Sequence, residues 1–267
     1  MLKRLMFFAF GATSYLIFLG AFLYAIGFVG GFLVPSRLDG AIWTSLPEAL
    51  AIDCGLLTIF AVQHSVMARP WFKARWTQVI PWAIERSTFV LLASLALLLL
   101  ILQWRPIGIQ IWAVDNSVAR AILWALFAAG WAIVLTMTFL IDHFDLFGLR
   151  QVWLPLIGKP YTRVPFVTPL PYRIVRHPLY FGFLLAFWST PTMTLAHLVF
   201  AGATTIYVIV AIQFEEHDLV YEHGSAYENY RRTVPMLLPG IGRRQTTAPA
   251  VGERSRQKTI SALESRR

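Results

Sequence analysis

Charge is scarce in this chain and cysteine is nearly absent. Only 14% of the 267 residues are charged, against roughly 25% in ordinary globular domains. A soluble fold of this size needs more polar surface than that to cover itself. The single cysteine, Cys54, lies in an apolar stretch and excludes an intrachain disulfide or a cysteine-based metal cluster. It reads as a small buried apolar residue. The six histidines show no paired ligand spacing, so no metal is expected. Acidic residues are outnumbered 14 to 23 by basic ones, for a net charge of +9. In a soluble chain that excess would suggest nucleic acid. Here the basic residues fall in loops and tail, which points to anionic lipid and away from nucleic acid.

What is abundant is apolar: 57% of residues are hydrophobic and the mean hydropathy is +0.60. A spanning helix needs roughly 20 mainly apolar residues. Runs over 5–34, 46–66, 87–103 and 119–141 are read as four crossing helices. The first is too long for a signal-peptide core and is read as a retained anchor. A polar, tryptophan-rich loop follows the second, over 67–73. The stretch 142–177 carries Pro155, Pro160, Pro165, Pro169 and Pro171, a density that forbids a regular helix. It is expected to lie along the membrane surface. Apolar sequence then resumes as far as Phe214, broken at Pro191. A short arm over 179–190 and a long arm over 192–214 predict a helical hairpin. The expected fold is all-α, a polytopic membrane bundle of four crossing helices plus a C-terminal hairpin, with both termini cytosolic. Residues 1–239 form the membrane-embedded domain, and 240–267 a basic disordered tail. No internal repeat and no strand pattern is present.

In that topology every lysine and arginine except Arg37, Arg105 and Arg120 falls on the cytosolic side, Arg163 and the tail included. The positive-inside rule therefore fixes the orientation. Five polar clusters meet the same face: Gln63-His64-Ser65, Glu85-Arg86-Ser87, Asp142-His143-Phe144-Asp145, Arg176-His177-Pro178-Leu179-Tyr180 and Glu215-Glu216-His217-Asp218. Ionisable groups beside spanning helices are costly and point to function. Their gathering predicts one chamber open to the cytosol. Simpler readings stand beside this one. His64 and Gln63 could cap helix-end carbonyls. Glu85 and Arg86 could form an interfacial ion pair, and Arg176 could snorkel to headgroups.

Glu215 and Glu216 close a helix, where carboxylates oppose its dipole, so a cation should compensate them. Arg173, Arg176 or a bound cationic ligand could do so. His177 precedes a proline and is biased to extended backbone, and Pro178 suits a first helical turn. The open amides of that turn, with Arg176 beside them, suit a carboxylate. Tyr180 follows one turn on. Such a site fits a zwitterion with a carboxylate and a distant positive centre.

Four motifs over the last third of the chain carry a resemblance. They are Arg176-His177-Pro178-Leu179-Tyr180-Phe181-Gly182, Glu215-Glu216-His217-Asp218-Leu219, Gly224-Ser225-Ala226-Tyr227-Glu228-Asn229-Tyr230 and Val234-Pro235. Together they resemble the C-terminal signature of isoprenylcysteine carboxyl methyltransferase-like membrane enzymes. Upstream, 60–70, 85–88 and 143–151 resemble the nurim-like branch of that family. The resemblance implies S-adenosylmethionine as methyl donor, bound by Arg176, His177, Tyr180, Glu215 and Glu216, with Tyr227 and Tyr230 closing over its adenosine end or anchoring at the interface. It implies methylation of methanethiol at sulfur to give dimethyl sulfide, in a bacterial inner membrane with the active site facing the cytoplasm.

A thiol must lose its proton at or before such a transfer, since the thiolate is the nucleophile. His64, His143 and Asp145 are the candidate bases. The expected partners are a small thiol and membrane lipid, with no obligate protein partner. Another thiol, an isoprenylcysteine carboxylate or a lipid amine stays open as acceptor, and a non-enzymatic nurim-like role stays open as well. A transporter is disfavoured, because the polar groups gather at one face and no repeat symmetry is present.

Overall fold

The computed structural model describes residues 1–162 and 167–240. Arg163 and all but the first residue of the expected tail lie outside them. Among the described residues, five helices are long and apolar enough to span a bilayer: α1 (Leu2–Gly30), α2 (Leu46–Ala68), α4 (Trp82–Gln103), α5 (Ser117–Ile141) and α10 (Leu195–His223). Between them lie the shorter helices α3 (Pro70–Trp76), α6 (His143–Leu146), α7 (Leu149–Leu156), α8 (Leu170–Ile174) and α9 (Pro178–Trp188), and α11 (Ser225–Thr233) follows. Two short strands, β1 (Gln110–Ala113) and β2 (Thr192–Thr194), pair antiparallel. The protein is a multi-pass, mostly helical membrane bundle.

Several local expectations change. The tryptophan-rich loop is partly helix, because Pro70 opens α3 at its first turn. The proline-rich stretch is not helix-free: α6 precedes its first proline, α7 tolerates Pro155 near its end, and α8 takes Pro171 in its first turn. Long helix α10 runs past Phe214 to His223, so Glu215 and Glu216 lie two turns before its end. A β-ribbon forms where none was expected. Cys54 is exposed on the outer surface of α2 instead of buried.

The surface is inverted relative to a soluble protein. Leu16, Leu23, Ile59, Ile122, Phe139 and Ile206 are exposed, while Ser14, Asp53, Ser87, Ser94, Thr138, His143, Gln151 and Glu216 are buried. Apolar side chains facing outward suit lipid, and the polar ones turn inward to find partners.

The hairpin packs by close backbone approach. At the crossing of α5 and α9, a Cβ on Gly130 would stand 2.7 Å from Gly182 O, and one on Gly182 would stand 2.9 Å from Gly130 O. Small residues at such a crossing replace the hydrophobic drive that lipid removes. At 11 residues, α9 is too short to cross alone. The chain continues through an irregular turn held by hydrogen bonds. Val114 N donates to Pro191 O, Leu195 N to Ile109 O, and Thr192 N to Thr190 Oγ1. The hairpin tip thus reaches the loops at the far end of the bundle, where β2 pairs with β1.

Two apolar clusters fill the interior. The larger joins α1, α2, α4, α5, α9 and α10 through Phe28, Trp104, Phe127, Trp131, Phe187 and Phe200. The smaller lies toward the other end, around Met67, Phe89 and Val90, with Phe18, Phe72, Trp76 and Phe147 packed on it.

Candidate active site at one end of the bundle

His177 caps α9 with φ −125° and ψ 60°, a non-helical backbone favoured by the proline that follows. That turn delivers Arg176 and His177 to buried Glu216 of α10. Arg176 Nε donates to Glu216 Oε1 at 2.7 Å, and His177 Nε2 lies 3.0 Å from the same oxygen. Arg231 Nη1 stands 3.9 Å from the other oxygen. Arg176 Nη1 also donates to the carbonyls of Arg231 and Val234. The backbone N–H groups of Arg176 and His177 donate to Pro235 O and Met236 O. Arg176 therefore clamps the segment after α11 against α9 and α10, where the sequence suggested an open fork for a ligand. Breaking one partner of such a buried pair typically costs about 3–5 kcal/mol, so this corner is rigid.

Glu215 is treated differently. Tyr180 donates its phenol proton to Glu215 Oε2 at 2.8 Å. No cation lies within ion-pair distance of Glu215 among the described residues, although its neighbour holds Arg176 and Arg231. Phenols surround this carboxylate: Tyr172, Tyr180 and Tyr207 all lie in its field. Burial, helped by Glu215, pushes Tyr172 well above the usual phenol range, so it stays protonated. Tyr230 donates to Tyr172 O, and its own phenol is pushed up to about 12 by burial, with Arg176 opposing. The Tyr227 ring is buried 5.6 Å from that of Tyr230, and the His177 ring lies 5.7 Å from Tyr180. A half-buried carboxylate ringed by aromatic groups and without a cation suits a positively charged ligand.

His64 closes α2 between two aromatic rings. Its ring centroid is 5.5 Å from Phe60 and 5.1 Å from Phe89. Its Nδ1 is buried and has no hydrogen-bond partner among the described residues. The same holds for Gln63 Oε1 beside it and for Trp76 Nε1 on α3. The charges acting on the imidazole are those of Arg86 and Arg69. Arg86 Nε donates to Leu146 O at 2.7 Å, and its guanidinium lies 5.2 Å from the Phe89 ring.

The other two candidate bases are engaged. His143 Nε2 lies 2.8 Å from Tyr15 Oη and its Nδ1 lies 2.9 Å from Thr138 Oγ1, with Phe139 stacked 4.2 Å away. Asp145 accepts from Arg150 Nη1 at 3.1 Å and from the Tyr161 phenol at 3.3 Å. Gly148 then lets α7 approach α4. Its φ is +85°, and a Cβ there would stand 2.8 Å from Ser87 N. His143 and Asp145 thus brace the α5–α7 turn, and His64 alone of the three keeps a buried nitrogen unpartnered.

Residues given no individual role from the sequence join the two halves. Arg69 Nη1 binds Asp218 Oδ2 at 2.8 Å, and its Nε donates to Ser65 O. Its guanidinium lies 5.6 Å from the Phe214 ring. Ser65 Oγ lies 3.5 Å from Tyr207 Oη. The end of α2, bearing His64, is therefore fastened to the stretch of α10 that bears Glu215. The sequence signal was opposite charge beside two of the polar clusters, and 149 residues separate the pair.

Comparison with known proteins bears on this geometry. No family model matches the chain, and no solved structure does. A methanethiol S-methyltransferase of Crocosphaera subtropica is 58% identical over 91% of this chain and 95% of its own length. One of Mycobacterium tuberculosis is 56% identical over 89% of this chain and 98% of its own length. Human nurim is 32% identical over 66% of this chain and 70% of its own length. Fold, site and relatives together define a multi-pass membrane methyltransferase, an enzyme that works with a methyl donor. More narrowly, the chain belongs to the methanethiol S-methyltransferase family, with nurim as a more distant relative.

Proposed function

We propose that this enzyme transfers the methyl group of S-adenosylmethionine to the sulfur of methanethiol, releasing dimethyl sulfide and S-adenosylhomocysteine. The observation that carries the reading is identity above half over nearly the whole of two methanethiol S-methyltransferases. The donor set fits the cofactor. Among the described residues Glu215 has no cation within ion-pair distance, and phenols ring it, which suits a sulfonium or ammonium group. Glu216, Arg176 and His177 hold that wall in place, and Tyr227 and Tyr230 complete it. When bound, S-adenosylmethionine supplies a methyl group on a positively charged sulfur.

The chain's own contribution is position and a base. His64 Nδ1 is the group that takes the thiol proton. The ring lies between Phe60 and Phe89 with that nitrogen buried. Opposite charges of sulfonium and thiolate cancel as the bond forms, so a dry, low-dielectric pocket favours the transition state. The clamp of Arg69 on Asp218 sets the distance between base and donor wall, and holding reactants in register supplies much of the acceleration. His143 and Asp145 serve by bracing. Acceptor and lipid are the only partners required, and the site faces the cytoplasm across a bacterial inner membrane, in line with the basic residues on that side.

Membranes carrying the protein, given S-adenosylmethionine and methanethiol, should release dimethyl sulfide into the headspace. No product above a membrane blank overturns the reading. Glu215→Gln should raise KM for the donor about tenfold or more, the scale of a lost charge-assisted contact, with KM for methanethiol unmoved.

A further inference from the structure

The three arginines that the charge pattern sets apart from every other basic residue converge at the end of the bundle away from Glu215. Arg37 lies in the loop between α1 and α2, Arg105 just after α4, and Arg120 in the first turn of α5. Two open clefts lie among them. The larger, about 300 Å³, is bordered by Arg37, Asp39, Trp43 and Trp104. The smaller, about 190 Å³, is bordered by Arg37, Asp39, Arg120 and Trp124. Arg37 and Asp39 thus stand on both rims. The Arg105 guanidinium lies 4.5 Å from the centroid of the Trp43 ring.

Carboxylates do not cancel this charge. Asp39 is occupied by Thr194 Oγ1 and His197 Nδ1, and Asp53 by Arg105 N. Arg120 spends one N–H on Val114 O. Neither Arg37 nor Arg120 forms an ion pair among the described residues, and the Arg37 guanidinium makes no hydrogen bond there. Two guanidiniums on one small cleft, one with its whole fork unspent, suit an anion. The surroundings select which anion. On the loop that carries Arg37, Leu33 is 95% and Trp43 64% exposed, and Phe32 and Ile42 are exposed beside them. Apolar side chains bared on both sides of an arginine place that loop at headgroup depth, where tryptophan also collects. A phosphate dissolved in water gains nothing from these side chains, whereas a lipid packs its chains on them.

We propose that the paired clefts seat the headgroup of a phospholipid from the leaflet at this end, with Arg37 and Arg120 binding the two free oxygens of its phosphate diester. The phosphate occupies the smaller cleft, and the head alcohol turns into the larger one beside Trp43. The lipid so held ties the α1–α2 loop to the start of α5.

The test is a titration of delipidated protein in nonionic detergent, followed by native mass spectrometry. The probes are phosphatidylglycerol, diacylglycerol with the same chains, and glycerol 3-phosphate. Wild type should retain one phosphatidylglycerol, more weakly as salt rises, and should retain diacylglycerol and glycerol 3-phosphate far less. Arg37→Gln and Arg120→Gln should each raise Kd about tenfold or more, the worth of a hydrogen bond to a charged group. Arg37→Lys, which keeps the charge, should lose less. Arg37 is exposed and bonds to nothing in the described chain, so its replacement leaves the fold intact. Arg75→Gln, at the other end of the bundle, should bind as wild type does. Unchanged affinity in Arg37→Gln overturns the proposal, as does an equal loss in Arg75→Gln, which would mean a general lipid shell. Equal retention of diacylglycerol removes the phosphate from the site. Glycerol 3-phosphate bound as tightly as the lipid makes it a site for soluble phosphate and overturns the lipid occupant.

Discussion

The two ends of the bundle hold similar residues and use them in opposite ways. At the far end, Asp39 accepts from Thr194 Oγ1 and lies 2.9 Å from His197 Nδ1, while His197 Nε2 lies 2.8 Å from Phe187 O. Both nitrogens of a 1%-exposed histidine thus face acceptors. Thr194 also caps α10. Asp53 accepts from Arg105 N, and the two unpartnered atoms nearby, Asp53 Oδ2 and Arg105 Nε, carry opposite charge on residues already bonded to each other. That end is a set of staples between loops, β-ribbon and helix starts. At the other end, among the described residues, Glu215 has no cation within ion-pair distance and His64 no partner on Nδ1. A buried polar group left unsatisfied costs the fold about 1–3 kcal/mol. Staples recover that cost within the chain, and the site recovers it only when ligands arrive.

This contrast breaks first at His64. His64→Ala should lower kcat by about 10²–10⁴-fold, the usual worth of a positioned base, while Tm in detergent stays within a degree or two of wild type. A large Tm loss with kcat preserved would make His64 another staple and erase the difference between the ends.

The second test runs the opposite way. Asp39→Ala leaves a buried imidazole facing a void, so unfolding stability should fall by about 1–3 kcal/mol. Initial rates measured well below Tm should match wild type. Thermal unfolding and a headspace assay on the same preparation decide it, and a rate loss without a stability loss would assign chemistry to the far end.

Basic residues and polar clusters marked the site end in the sequence, but not how either end uses its polar groups. Hydropathy located the spanning helices because lipid demands a long apolar run, and Pro191 marked the hairpin turn. The helix ends were harder. Glu215 to Asp218 looked like the stop of a helix, yet α10 continues to His223, since a helix leaving the apolar layer needs no apolar residues. Strands of 4 and 3 residues leave no alternation to detect. The motif around Arg176 and His177 brought those residues to notice, but not that Arg176 is spent on Glu216 and on carbonyls of the last segment. Arg69 with Asp218 and Asp39 with His197 are joined across 149 and 158 residues. Pairing over that distance is a property of packing, and nothing local encodes which charge meets which.

The smallest effect lies at His143, which sits at the site end but is satisfied like a far-end staple. Thr138 Oγ1 spends its proton on Leu135 O at 2.7 Å, so it accepts from His143 Nδ1. Nε2 then accepts from the Tyr15 phenol. The ring is neutral in this arrangement, and burial holds its pKa below the usual 6.5, with Asp142 pulling the other way. A folded-state pKa below the unfolded one favours the neutral form in the fold. Its contribution to stability is therefore complete above the unfolded value near 6.5 and is lost as pH falls through the folded one. Tm should drop between pH 7 and pH 5, and the drop should shrink in His143→Gln, which cannot titrate. Equal slopes in the two proteins would mean that this histidine is not held neutral, and that the bracing turn behind the site is looser than its hydrogen bonds imply.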